Sequence, residues 1–155
     1  MRVYSVMKRE PRTCLPETDL ATAGRTMAQV DCGFLPVIDN ERRVVGLVTD
    51  RDICLGVTLR DELPSKIRVK DVISGEVYSC TADEEVTEAL NTMREFGVRR
   101  LPVVDMVGRI EGILSLDDVV LEARALGSEQ FTGPFYSDIA RTLKAICSHP
   151  TPAVV

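Results

Sequence analysis

The sequence has no tryptophan, one histidine, and only four phenylalanines and three tyrosines in 155 residues. With His149 alone near the end of the chain, no Ser–His–Asp or Cys–His set can assemble, so catalysis on that pattern is excluded and no catalytic residue is expected. The five cysteines (Cys14, Cys32, Cys54, Cys80 and Cys147) are widely spaced and form no C-x-x-C pair. A four-ligand zinc site is therefore not expected, nor any other metal. They read as reduced thiols of a cytoplasmic protein, with Cys14, Cys32 and Cys80 packed as small hydrophobes. No uncharged apolar run approaches the about 20 residues needed to cross a bilayer, and residues 1–12 carry no apolar segment of a secretory leader. Basic charge is also short. Nineteen Lys and Arg against 24 Asp and Glu leave a net charge of −5, which argues against nucleic acid as a partner.

What is present is the balance of a soluble globule, 45% hydrophobic and 28% charged residues, and an internal repeat. Pro36 matches Pro102, 66 residues on, and the same offset aligns Val3 with Val69, Val6 with Val72, Cys14 with Cys80 and Ala23 with Ala89. It continues through Met27/Met93, Leu35/Leu101, Val37/Val103, Asp39/Asp105, Gly46/Gly112 and Asp52/Asp118 without a gap. So many ungapped matches mark a duplicated unit.

Each copy reads as β-α-β-β-α. Short extended stretches (12–15 and 77–81) precede helices with apolar residues at helical spacing: Leu20, Ala23, Met27 and Val30, then Val86, Ala89, Leu90, Met93 and Phe96. Two strands follow, 34–39 and 44–49, with counterparts 101–105 and 110–115, and a last helix starts near Asp50 or Leu116. One copy buries too little surface to stand alone, so the two are expected to pack sheet against sheet as one pseudo-two-fold α+β body. Residues 58–70, with Pro64 and many charges, suit an exposed connection. After Gly133-Pro134, the spacing of Phe135, Ile139, Leu143 and Ile146 predicts an amphipathic C-terminal helix, followed by a loose tail from His149.

The chemistry-bearing segment is Gly46-Leu47-Val48-Thr49-Asp50-Arg51-Asp52, copied as Gly112-Ile113-Leu114-Ser115-Leu116-Asp117-Asp118. A hydroxyl ends the strand and a carboxylate sits three residues on, on the same helical face. Open N–H groups at a helix start attract anions. The hydroxyl can hold a phosphate oxygen, and the carboxylate suits the paired hydroxyls of a ribose. The same spacing is also a capping box, in which both groups satisfy the helix's own N–H groups. The two readings are compatible.

At these residues the chain resembles a tandem pair of CBS (cystathionine beta-synthase) domains, a Bateman module. Val3-Tyr4-Ser5-Val6-Met7 and Val69-Lys70-Asp71-Val72-Ile73 resemble the family's opening turn. Leu35-Pro36-Val37-Ile38-Asp39 and Arg100-Leu101-Pro102-Val103-Val104-Asp105 resemble its central strand, and both Gly-x-x-Thr/Ser-x-x-Asp segments resemble its ligand motif. The resemblance implies repeats over 1–58 and 69–125, a linker over 59–68, and leaves 126–155 as an added helix and tail. It further implies clefts between the repeats for adenosine-type ligands (AMP, ADP, ATP or S-adenosylmethionine), with no other cofactor required. Carried over, Ser115 and Asp118 would face Cys14, Leu15 and the 32–36 loop with Phe34 and Pro36. Thr49, Asp50 and Asp52 would face Cys80, Thr81 and the 98–102 loop with Arg99, Arg100 and Pro102. Because Arg99 and Arg100 neutralise phosphate, the Thr49/Asp52 site is expected to prefer phosphorylated ligands, and the Ser115/Asp118 site a less charged adenosine or none. The implied function is a non-catalytic cytoplasmic regulatory module, a homodimer acting on an unidentified regulated protein through a conformational or dimer change. The alternative is a protein-interaction scaffold with vestigial sites. An enzyme related to inosine monophosphate dehydrogenase would need a catalytic barrel larger than this chain can hold.

Overall fold

The computed structural model describes residues 1–73, 76–124 and 131–148; His149 and the tail lie outside the described residues. Along the chain run β1 (Lys8–Arg9), α1 (Leu20–Gln29), β2 (Phe34–Ile38), β3 (Val44–Thr49) and α2 (Asp50–Arg60). They are followed by α3 (Val86–Phe96), β4 (Arg100–Val104), β5 (Ile110–Ser115), α4 (Leu116–Glu122) and α5 (Tyr136–Ser148), with 3-10 turns at Val3–Ser5 and Val69–Asp71. The fold is mixed α+β, as the repeat predicts, and the added C-terminal helix is present.

Two compact units emerge, and neither is a continuous stretch of sequence. One takes Glu10–Val77 with the hairpin tip Val104–Glu111; the other takes Met1–Arg9, Tyr78–Val103 and the chain from Gly112 onward.

In the first unit, Asp19 caps α1 by accepting the Thr22 N–H at 2.9 Å, and Leu20, Ala23 and Met27 enter the core. Val30, expected on the same apolar stripe, is 39% exposed because the helix has already ended at Gln29. The β2–β3 hairpin pairs Phe34 with Thr49 and Val37 with Gly46. The extended stretch expected over 12–15 is a single parallel bridge, Cys14 to Val37. Pro11 and Pro16 on either side of it lack the N–H that a longer ladder would use. The connection expected to be exposed is partly internal: Leu63 is open to solvent, but Ile67 and Val69 are 1% and 0% exposed and complete this core. The hairpin tip of this unit pairs Arg43 with Arg109, 66 residues apart; Val44 N–H donates to the Gly108 carbonyl and Ile110 N–H to the Arg42 carbonyl.

The second unit holds the three-stranded sheet β1-β5-β4, in which Lys8 opposes Ile113 and Arg9 opposes Gly112. Val3 joins Val86, Leu90, Met93, Leu101, Leu114 and Val119 in its core. Here too, the extended stretch expected over 77–81 is a single parallel bridge, Cys80 to Val103. Phe96 lies at the end of α3 and stacks on Tyr78 at 3.8 Å. Helix α5 packs on α3 and α4. Its buried face is not the expected stripe throughout: Ile139 is buried, but Leu143 is 38% exposed and Thr142 is fully buried instead. Thr142 Oγ1 accepts from Arg94 Nη1 at 3.1 Å and donates to the Asp138 carbonyl at 2.8 Å, so this polar residue enters the interior satisfied.

Repeated backbone with unrepeated side chains shows at two left-handed positions. Asp31 (φ 50) matches Gly97 (φ 66), and Arg42 (φ 65) matches Gly108 (φ 85). Glycine occupies this region without steric cost, whereas a side chain does not. Arg42→Gly is therefore expected to raise stability by about 0.5–1 kcal/mol, read as a higher urea midpoint at unchanged slope; an unchanged or lower midpoint contradicts this.

Burial pushes the Cys14 thiol up to about 11 and the Cys80 thiol up to about 12, while Cys54 and Cys147 are exposed. Since the thiolate is the nucleophile, iodoacetamide at pH 8 is expected to modify Cys54 and Cys147 in the native protein. Cys14 and Cys80 should react only after denaturation, as mass spectrometry of the labelled peptides would show.

Candidate functional site

Both repeats pass straight from the end of a hairpin strand into a helix, and the repeated hydroxyl and carboxylate sit at that junction. In the first unit, Thr49 is the N-cap of α2, with extended backbone (φ −113, ψ 163). Its Oγ1 accepts the Asp52 N–H at 3.1 Å and donates to Asp52 Oδ2 at 2.7 Å, while Thr49 N–H donates to the same oxygen at 2.8 Å. In the second unit, Ser115 caps α4 in the same way. Its hydroxyl donates to Asp118 Oδ2, its N–H reaches that oxygen at 3.1 Å, and it accepts the Asp118 N–H at 3.2 Å. Both junctions are thus capping boxes in which each group satisfies the other.

Each junction is tied to the loop before the preceding strand of its own hairpin. Asp50 N–H donates to the Gly33 carbonyl at 3.0 Å, and Leu116 N–H to the Arg99 carbonyl at 2.9 Å. A Cβ at position 33 would lie 2.8 Å from Asp50 Oδ2, the end of an exposed side chain that can move aside, and the counterpart of Gly33 in the other repeat is Arg99. Phe34, which opposes Thr49, belongs to this first cluster, with Cys14 N–H donating to the Pro36 carbonyl one strand over. In the second unit, Arg99 meets the junction through its carbonyl, Arg100 opens β4, and Cys80 N–H donates to the Pro102 carbonyl. Leu15 and Thr81 are exposed, each with its N–H held locally, by Thr18 Oγ1 and by Glu84 Oε2.

The junctions differ in surroundings. Thr49 and Asp52 are half-buried, and Asp52 borders an open cavity of about 400 Å³ whose lining includes Leu55, Gly56, Leu59, Asp71 and Val72. Ser115 and Asp118 are 7% and 8% exposed, and Lys8 Nζ stands 3.3 Å from Asp118 Oδ1. Lys8 belongs to no motif in the sequence, and its counterpart at the repeat offset is the uncharged Ser74. Among the described residues, no group of three His, Cys, Asp or Glu is arranged to hold a metal, and no helix is long and apolar enough to cross a membrane.

The pattern of the CBS domain matches residues 3–57 and 69–124. The chain belongs to the CBS domain family. A 17.7 kDa protein of Acidianus ambivalens is 35% identical over 120 residues, 77% of this chain and 71% of that one. Inosine-5'-monophosphate dehydrogenase of Methanocaldococcus jannaschii is 35% identical over 108 residues, which is 70% of this chain but 21% of the enzyme. The likeness to the enzyme thus concerns about a fifth of its length. Among solved structures, CBSX2 in complex with AMP has a TM-score of 0.67 and 28% identity, over 78% of this chain and 94% of that one. The opening turn of each CBS repeat, Val3–Ser5 and Val69–Asp71, lies within the matched residues.

The caps have structural weight whatever binds beside them. Thr49→Ala is expected to cost about 1 kcal/mol in urea unfolding. Ser115→Ala is expected to cost more, because it takes a hydrogen bond from Asp118, which is 8% exposed, whereas Asp52 is half-buried. Equal costs at the two positions would contradict that ranking.

Proposed function

We propose that this CBS domain protein is a non-catalytic regulatory module that binds an adenosine-type ligand at its Thr/Ser-x-x-Asp junctions. The observation that carries this reading is the Thr49–Asp52 junction. There a hydroxyl, a carboxylate and a helix N-terminus converge at a half-buried position, and Asp52 borders a cavity that runs along α2 to Arg60. Asp52 Oδ2 is committed to the cap, and Oδ1 has no hydrogen-bond partner among the described residues. An acceptor-only oxygen of this kind suits a ribose diol. The related CBSX2 structure with AMP supports the choice of ligand class. AMP, ADP, ATP and S-adenosylmethionine are the candidates. Binding acts by preferring one arrangement of the chain, or of a homodimer, over another. Exposed Leu59 on α2 and Val120 and Leu121 on α4 supply apolar surface for such pairing. Met93, in contrast, is fully buried in the core. The regulated partner is a protein, and the setting is cytoplasmic.

A second reading is favoured by one observation: the hydroxyl and carboxylate of each junction already satisfy each other. On that reading the chain is an interaction scaffold with vestigial sites. Calorimetry with AMP, ADP, ATP and S-adenosylmethionine separates the two. The ligand-binding module is expected to give saturable heat with at least one of them, weakened about tenfold or more by Asp52→Ala. No heat from any of the four leaves the scaffold.

A further inference from the structure

We infer that the two junctions are not equivalent: Lys8 closes the Ser115–Asp118 junction as a built-in counter-ion, leaving Thr49–Asp52 as the junction with an open acceptor. Asp118 has both oxygens engaged. Oδ2 takes the Ser115 hydroxyl and N–H, and Oδ1 faces the Lys8 ammonium at 3.3 Å. The carboxylate is 9% exposed and the lysine side chain 77%. The cation thus reaches an almost covered acid from the solvent side, over the one oxygen that the cap leaves over. Lys8 is held there by its own strand. It opposes Ile113 in β1, and the next residue opposes Gly112, where an added Cβ would stand 2.8 Å from the Lys8 carbonyl. This close backbone approach fixes where the lysine stem starts.

Among the described residues of the other repeat, no cation is paired with Asp52. At the 66-residue offset, Lys8 and Arg9 correspond to Ser74 and Gly75, neither of which carries charge. Asp52 is half-buried rather than covered, and its Oδ1 has no partner among the described residues. An adenosine ligand approaching Asp118 must displace an ammonium; one approaching Asp52 need not. The consequence, which rests on the ligand-binding reading above, is one adenosine ligand per chain, held at Asp52.

Two arms test this. Without any ligand, Lys8 is expected to be acetylated by an N-hydroxysuccinimide ester about twofold to fivefold faster in Asp118→Asn than in the wild type, the range expected of an exposed ion pair. Lys8→Met, which leaves the cap untouched, is expected to melt below the wild type at low salt, with the gap closing at about 1 M NaCl. Equal acetylation rates, or no melting gap at low salt, overturn the closure. With AMP as probe, calorimetry is expected to give one equivalent per chain, lost in Asp52→Ala and kept within about twofold in Lys8→Met. Two equivalents in the wild type overturn the inequality of the junctions. Absence of AMP heat in every protein counts against the ligand reading, while the acetylation and melting results still decide whether Lys8 holds Asp118.

Discussion

At both hairpin-to-helix junctions, a single hydroxyl and a single carboxylate set the direction in which the helix leaves the sheet. The strand ends in extended backbone at Thr49 or Ser115, and the reciprocal bonds to Asp52 or Asp118 turn the next residues into a helix without a loop between. Because the turn has no spare residues, the pre-strand loop is drawn onto it through the Gly33 and Arg99 carbonyls. The parallel bridges at Cys14 and Cys80 then extend that arrangement to the opening of each repeat. Loss of the cap would loosen every one of these neighbours.

That economy leaves room for a binding role beside the structural one. Each capping box engages one oxygen of its acid and leaves the other out of the cap. What that second oxygen meets decides whether the junction is a site or only a fastening. In one unit it meets a lysine from a neighbouring strand; in the other it has no partner among the described residues, on an acid that borders a cavity. Duplication copied the fastening, and divergence around it, with Lys8 against Ser74 and Gly33 against Arg99, made the surroundings unequal.

Much of this was legible in the sequence. The ungapped offset gave the repeated elements, the helix faces and the paired junctions, because all of them depend on local periodicity and short spacing. The features that were not legible depend on long-range partners. Ile67 and Val69 look like part of a charged connection until the core of the first unit is seen to need them. Thr142 interrupts an apolar stripe, and its burial makes sense only with Arg94 on another helix. Lys8 lies 110 residues from Asp118, beyond any motif. Left-handed Arg42 was hidden because only its glycine counterpart, Gly108, advertises that backbone.

The exchange of opening turns bears on how the chain is made. Val3 is committed to a core whose remaining members are Cys80 and later residues, and the first unit draws on Ile67, Val69 and the tip at 104–111. On the ribosome, an emerging first repeat therefore lacks part of its own interior, and its N-terminal residues wait for a body not yet synthesised. Contacts of such long sequence separation slow folding and favour concerted completion over stepwise assembly. Half of the gene does not encode half of the protein.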